Sequence, residues 1–185
     1  MDLGFRMHAE RTPNPNSVKW VLGQALAEGG GGAHFDRPVS EAVSPLAARL
    51  FTVEGVVGVF VAGNFVTVTK REDVEWADLA QGVVDAIKAF VASEEPTFGP
   101  DYEAPTEGPE GGVADRIRTI LETEVRPAVA QDGGDIIFAG YREGVVEVYL
   151  QGSCSGCPSS TMTLKLGIEE RLRQEIPEIR EVVAL

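Results

Sequence analysis

Cysteine and histidine are as scarce here as tryptophan: two of each in 185 positions. Two cysteines cannot build the disulfide framework of a small secreted protein. Nor can two thiols fill the four positions that a structural zinc or an iron–sulfur cluster usually takes. Basic residues are also few, 16 Lys+Arg against 29 Asp+Glu, for a net charge of −13. That balance excludes a general binder of nucleic acid or of anionic membranes. No apolar run approaches membrane-spanning length, and no apolar stretch follows basic residues at the N-terminus. A reducing, bacterial-type cytoplasm is the expected setting. Enzyme signatures are missing as well: there is no H-E-x-x-H, G-x-S-x-G or phosphate-loop pattern. Gly29-Gly30-Gly31-Gly32 lacks the G-K-[ST] of a phosphate loop and reads as a flexible surface loop. His8 and His34 stand far from both cysteines and read as polar surface residues.

The apolar content, 43%, suffices for two small cores. Residues 1–92 predict strand, strand, helix, strand, strand, helix. Thr12-Pro-Asn-Pro-Asn16 marks a turn between the first two strands. Ser44-Pro45 caps a helix. Two β-branched runs flank Gly63-Asn64 as a hairpin. Trp76, Leu79, Ala80, Val83, Ile87 and Phe90 recur at helical spacing. Ala25 to Val43 shows no sustained period. Residues 93–112 hold four prolines, several glycines and six acidic residues with no basic one, which predicts a flexible acidic linker. Residues 113–185 predict the order α-β-β-α-β. Val113 to Val125 form an amphipathic helix that Pro127 kinks or breaks. Gly133-Gly134 then serve a backbone turn, with no catalytic role for Asp135. The fold class is therefore α+β, as two small domains joined by a linker.

Both cysteines fall in Gly152-Ser-Cys154-Ser-Gly-Cys157-Pro158, between the strand Val145–Leu150 and the helix that follows. Two sulfurs at C-x-x-C spacing share one metal or one disulfide. Small flanking residues suggest an exposed turn, and the positive end of the helix dipole favours thiolates there. Three readings compete: buried structural cysteines, a thioredoxin-like redox pair, and metal or iron–sulfur ligation. The metal reading carries its own corollary, a symmetric dimer in which two chains supply four thiolates. The redox reading loses ground because one helix and one strand follow Cys157, too little for a thioredoxin fold. No carboxylate occurs between Val148 and Ile168, which suits an anionic cluster.

Asp132-Gly-Gly-Asp135 together with Gly152-Ser-Cys-Ser-Gly-Cys-Pro-Ser-Ser-Thr161 resembles the NifU-like C-terminal domain of Nfu-type iron–sulfur scaffold proteins. Thr12-Pro-Asn-Pro-Asn-Ser-Val-Lys19, Ser44-Pro-Leu-Ala47, Gly55-Val-Val-Gly-Val-Phe60 and Phe65-Val-Thr-Val-Thr-Lys70 are similar to the Nfu N-terminal domain. The resemblance implies a carrier and not an enzyme. It implies one [4Fe–4S] cluster per homodimer, with Cys154 and Cys157 of each chain as ligands. Upstream cluster-assembly proteins and apo iron–sulfur targets would be its partners, the N-terminal domain aiding target recognition. A zinc-bridged structural dimer and a thiol–disulfide carrier remain as alternatives on the same C-x-x-C.

Overall fold

The computed structural model describes residues 5–28, 31–106 and 108–185, apart from the side chains of residues 158 and 160. Gly29 and Gly30 of the glycine run lie outside the described residues. Packing divides the chain into two compact units, one running to Ala104 and one starting at Pro105. Both mix helices with a sheet, and the class is α+β.

In the first unit, strands β1 (Met7–Arg11), β2 (Ser17–Leu22), β3 (Gly32–Phe35), β4 (Val56–Ala62) and β5 (Phe65–Lys70) form an antiparallel sheet in the order β1-β2-β5-β4-β3. Helices α1 (Pro45–Phe51) and α2 (Trp76–Ser93) accompany it. The Ser44 hydroxyl accepts a hydrogen bond from the Ala47 N–H, and Pro45 occupies the first turn, as the sequence predicts. The hairpin closes with Ala62 opposite Phe65, and Gly63 takes the positive φ (47°) such a turn needs. Leu79, Val83, Ile87 and Phe90 bury one face of α2 against the valines of β4 and β5.

Strand β3 falls where the sequence shows no period. At four residues it is too short for alternation to register. Its glycine is sterically required: a Cβ at Gly32 would lie 2.4 Å from the Phe60 ring. The acidic Pro/Gly segment is likewise held in ways that its composition hides. Ser44 Oγ donates to the Thr97 carbonyl at 2.7 Å, and the Gly99 and Asp101 N–H groups donate to Val43 and Ala42. Phe98 stacks on Tyr102 with ring centroids 4.3 Å apart, and Tyr102 meets Phe35. Further on, the Gly108 N–H donates to the Phe138 carbonyl, so this part belongs to the second unit. Two aromatics anchor a stretch that charge and proline content assign to free linker.

The second unit runs α3 (Val113–Ile120), a π-helical turn (Leu121–Val125), α4 (Arg126–Gln131), β6 (Gly134–Arg142), β7 (Val145–Gly152), α5 (Pro158–Glu175) and β8 (Glu181–Ala184). Its sheet has the order β6-β7-β8. Strands β6 and β7 form an antiparallel hairpin, and α5 carries the chain over to β8, which pairs parallel with β7. The α-β-β-α-β order holds. Pro127 does not break the first helix. The ladder widens instead, with the Arg126 N–H donating to the Leu121 carbonyl, and the helix continues through the proline. A π-turn absorbs the missing N–H and the ring's bulk one turn early. Ile117, Leu121, Ile136, Val146, Ile168, Leu172 and Ile176 fill the core, and Cys154 belongs to it.

Candidate functional site

The site grows from the end of β7. Gly152 leaves the strand at φ 66°, and its carbonyl accepts from both the Ser155 N–H and the Ser155 hydroxyl. Gly156 follows at φ 79°, a conformation that residues with a Cβ avoid. Helix α5 then starts at Pro158, with Cys157 extended at its N-cap. Thr161 fixes both cysteine backbones: its N–H donates to the Cys157 carbonyl at 2.9 Å and its hydroxyl to the Cys154 carbonyl at 3.0 Å. Thr161 has no role in the sequence reading beyond its place in the motif. A hydroxyl at i+4 and i+7 from the two cysteines is the signal that reveals it.

The structure brings Cys154 and Cys157 together in one turn with no disulfide between them, but in unequal surroundings. Cys157 is half-buried, with the Ser159 hydroxyl 3.5 Å from its sulfur. Cys154 is only 8% exposed. This corrects the expectation of an exposed pair with favoured thiolates. Burial pushes the Cys154 thiol up to about 11, and the carboxylates of Asp132 and Asp135 add to that while the Ser153 contact opposes it. Desolvation outweighs the helix dipole at this sulfur. Cys154 is therefore a thiol at neutral pH. In the apo-protein at pH 7.5, iodoacetamide should modify Cys157 well before Cys154, and the Cys154 rate should keep climbing as pH approaches 11. Mass spectrometry of the two peptides checks this; equal rates at neutral pH would contradict the burial.

The Asp132–Asp135 turn forms the floor under Cys154. Gly133 takes φ 79°, the backbone reason the sequence suggests. Gly134 has a different reason: its Cβ would lie 2.6 Å from the Cys154 sulfur and 2.8 Å from the Gln151 carbonyl oxygen. Ser153 stitches the turn to the motif, donating its N–H to the Gly133 carbonyl and its hydroxyl to the Asp132 carbonyl. Asp135 is structural. Arg126 grips its carboxylate through two hydrogen bonds of 2.8 Å, and the Ile136 N–H donates to it. Asp135→Ala should lower the stability of this unit by about 2 kcal/mol, because it takes two charge-assisted hydrogen bonds from a half-buried guanidinium. Urea unfolding measures the loss, and an unchanged midpoint would contradict it.

Among the described residues, no group of three or more His, Cys, Asp or Glu side chains is placed to hold a metal. His8 bonds Glu10 on β1. His34 lies on β3 beside the Phe60 ring, and burial holds its imidazole below the usual range. Neither histidine is in the unit that carries the cysteines. The described residues thus offer two soft sulfur donors and no third ligand beside them, half of the set that zinc or an iron–sulfur cluster requires.

Comparison with known proteins places these two α+β units and their thiol pair in the iron–sulfur scaffold class. Residues 117–183 match the family described as NifU-like domain, and residues 7–94 match the family described as scaffold protein Nfu/NifU N terminal. The human mitochondrial NFU1 iron-sulfur cluster scaffold homolog is 41% identical over 180 residues, 95% of this chain and 70% of that protein. The mitochondrial NFU1 homolog of Drosophila erecta is 40% identical over 179 residues. The chain spans 63% of that relative's length. The chain belongs to the Nfu family of iron–sulfur cluster scaffold proteins. A NifU-like protein from Saccharomyces cerevisiae, solved by NMR, aligns with TM-score 0.46 at 20% identity, over 53% of this chain and 89% of that one.

These names overturn the expected bacterial-type cytoplasmic setting, because the relatives are named mitochondrial. The lack of a disulfide framework fits any compartment that keeps thiols reduced, so it does not single out the cytoplasm. No helix among the described residues is long and apolar enough to cross a membrane.

Proposed function

We propose that this chain carries a [4Fe–4S] cluster as cargo, held between two copies by Cys154 and Cys157 of each, and hands it to apo-proteins. One observation carries the reading: two thiols converge on one turn, and no third ligand stands beside them among the described residues. A second copy completes four thiolates by symmetry. One cluster per homodimer follows. The protein acts by binding and release, and is not an enzyme.

The geometry suits loading and release. Binding iron takes the proton from each thiol, so Cys154, a thiol at neutral pH, titrates on coordination. Cluster uptake should therefore strengthen from pH 6.5 to 8.5. Cys157, on the more open side, is the ligand that an incoming thiolate of an apo-target reaches first. Exchange there opens the seam, and the buried Cys154 leaves last. Upstream assembly proteins supply the cluster and apo iron–sulfur proteins receive it. Residues 1–92, which hold no cysteine, serve target recognition, residues 93–112 join the domains, and residues 113–185 carry the cargo.

Zinc on the same four thiolates is the second reading, favoured only by the matching donor set. Visible absorbance separates the two: a loaded cluster is brown and zinc is colourless. Anaerobic loading with iron and sulfide that gives a colourless protein, alongside tight zinc uptake, would replace the cluster reading.

A further inference from the structure

Helix α5 buries Ile168 and Leu172 on one face and leaves two large apolar side chains in water on the other. Met162 is 59% exposed and Leu166 is 56% exposed. Ser159, Met162, Thr163 and Leu166 fall at spacings that share one helix face, and the Ser159 hydroxyl touches the Cys157 sulfur. The exposed stripe thus begins at the more open ligand. At its edge stands Gly167, in the middle of an 18-residue helix. Glycine disfavours a helix relative to alanine, yet a Cβ at this position would meet nothing within 4 Å. No neighbour among the described residues demands it.

We propose that this stripe, Ser159, Met162, Thr163, Leu166 and Gly167, is the surface on which a second copy of the chain seats. The inference rests on the bridged-cluster reading above and adds the surface that reading leaves open. Three observations select a second copy as the occupant. Among the described residues the thiol pair has no third ligand, and the stripe starts beside Cys157. Two chains of charge −13 repel, so they meet most readily where carboxylates are missing, and none occurs from Val148 to Ile168. The one cation on this stretch of helix, Lys165, is already paired with Glu181 at 3.0 Å. An open glycine beside exposed Met and Leu lets the partner's backbone approach closely. The stripe is small beside the roughly 800 Å² per partner of a stable interface. The thiolate–iron bonds therefore supply most of the hold, and stripping the cluster should return monomers.

Full-length Leu166→Glu tests this, with Val57→Glu as a control at an exposed valine of the first unit. Each protein is loaded anaerobically with ferrous ion and sulfide, then sized by light scattering with iron measured on the same peak. Thermal melts confirm the fold, which Leu166→Glu should leave intact because its side chain is solvent-facing. The expected result is a loaded dimer for the unaltered chain and for Val57→Glu. For Leu166→Glu we expect at least roughly tenfold weaker dimerisation and correspondingly less bound iron, since two carboxylates now face each other at the seam. A Leu166→Glu protein that loads and dimerises normally overturns the surface and leaves the scaffold reading standing. Normal loading combined with failed transfer to a purified apo [4Fe–4S] enzyme also overturns it, by assigning the stripe to a target. No iron uptake by the unaltered chain removes the scaffold reading and this surface together.

Discussion

Replacing Cys157 by serine should abolish iron and sulfide uptake while leaving the fold almost untouched. The hydroxyl is a hard donor that stays protonated where a thiolate binds iron, and the substitution acts twice in a symmetric pair. Four ligands fall to two. Loss of a supporting contact alone costs a metal site roughly 10- to 100-fold, so loss of the ligand itself should exceed that. Cys157 is half-buried at the N-cap of α5, and serine is a favoured residue there, so the melting temperature should hold or rise slightly. Cys154→Ser should lose the cargo equally and also destabilise the unit by about 1–2 kcal/mol, because it buries a hydroxyl where the core holds sulfur. Visible absorbance after loading and a melt of each variant provide both readouts. Serine variants that bind iron like the unaltered chain would remove the cysteines from the site.

The second large effect lies in a residue that is not a ligand. Gly134→Ala places a methyl 2.6 Å from the Cys154 sulfur, 2.8 Å from the Gln151 carbonyl oxygen and 3.3 Å from Val129. All three neighbours are core or backbone, so the strain cannot be relieved by swinging a flexible side chain. An overpacked core of this kind costs about 1–3 kcal/mol. For a unit of this size the melting temperature should fall by about 10 °C. The sulfur must move, so Cys154 alkylation should speed up and cluster retention should drop. Gly156→Ala provides the contrast: it imposes a positive-φ strain of about 1 kcal/mol and meets no neighbour. Gly134→Ala should therefore be the more damaging in both stability and cargo binding. Melts and half-lives of bound iron for the two variants test the order, and the reverse order would contradict the packing account.

What the sequence conveys and what it hides divide along physical lines. Long periodic stretches announce themselves: the α2 stripe, the Gly63-Asn64 hairpin and the α-β-β-α-β order are all legible, since each repeats a period over many residues. Strand β3 and the π-turn are not. Four residues carry no period, and a proline in a helix signals trouble without saying whether the ladder will stop or widen. In the acidic segment, charge and proline content speak louder than Phe98 and Tyr102, yet these two rings join the first core.

The site shows the same split. The C-x-x-C marks the two thiols at once. The inequality of the two thiols cannot be read locally, because the wall that buries Cys154 comes from Gly134 and Val129, twenty and more residues earlier. The glycine pair illustrates it best. Gly133 answers to φ, which a turn motif reveals. Gly134 answers to a sulfur across the fold, which only the packing reveals.

The most direct test of the bridged-cargo reading is anaerobic reconstitution with iron and sulfide, followed by size exclusion with light scattering and iron and sulfide analysis on one peak. The account predicts a brown species with the mass of two chains, carrying four irons and four sulfides per pair. A colourless monomer without iron would contradict it.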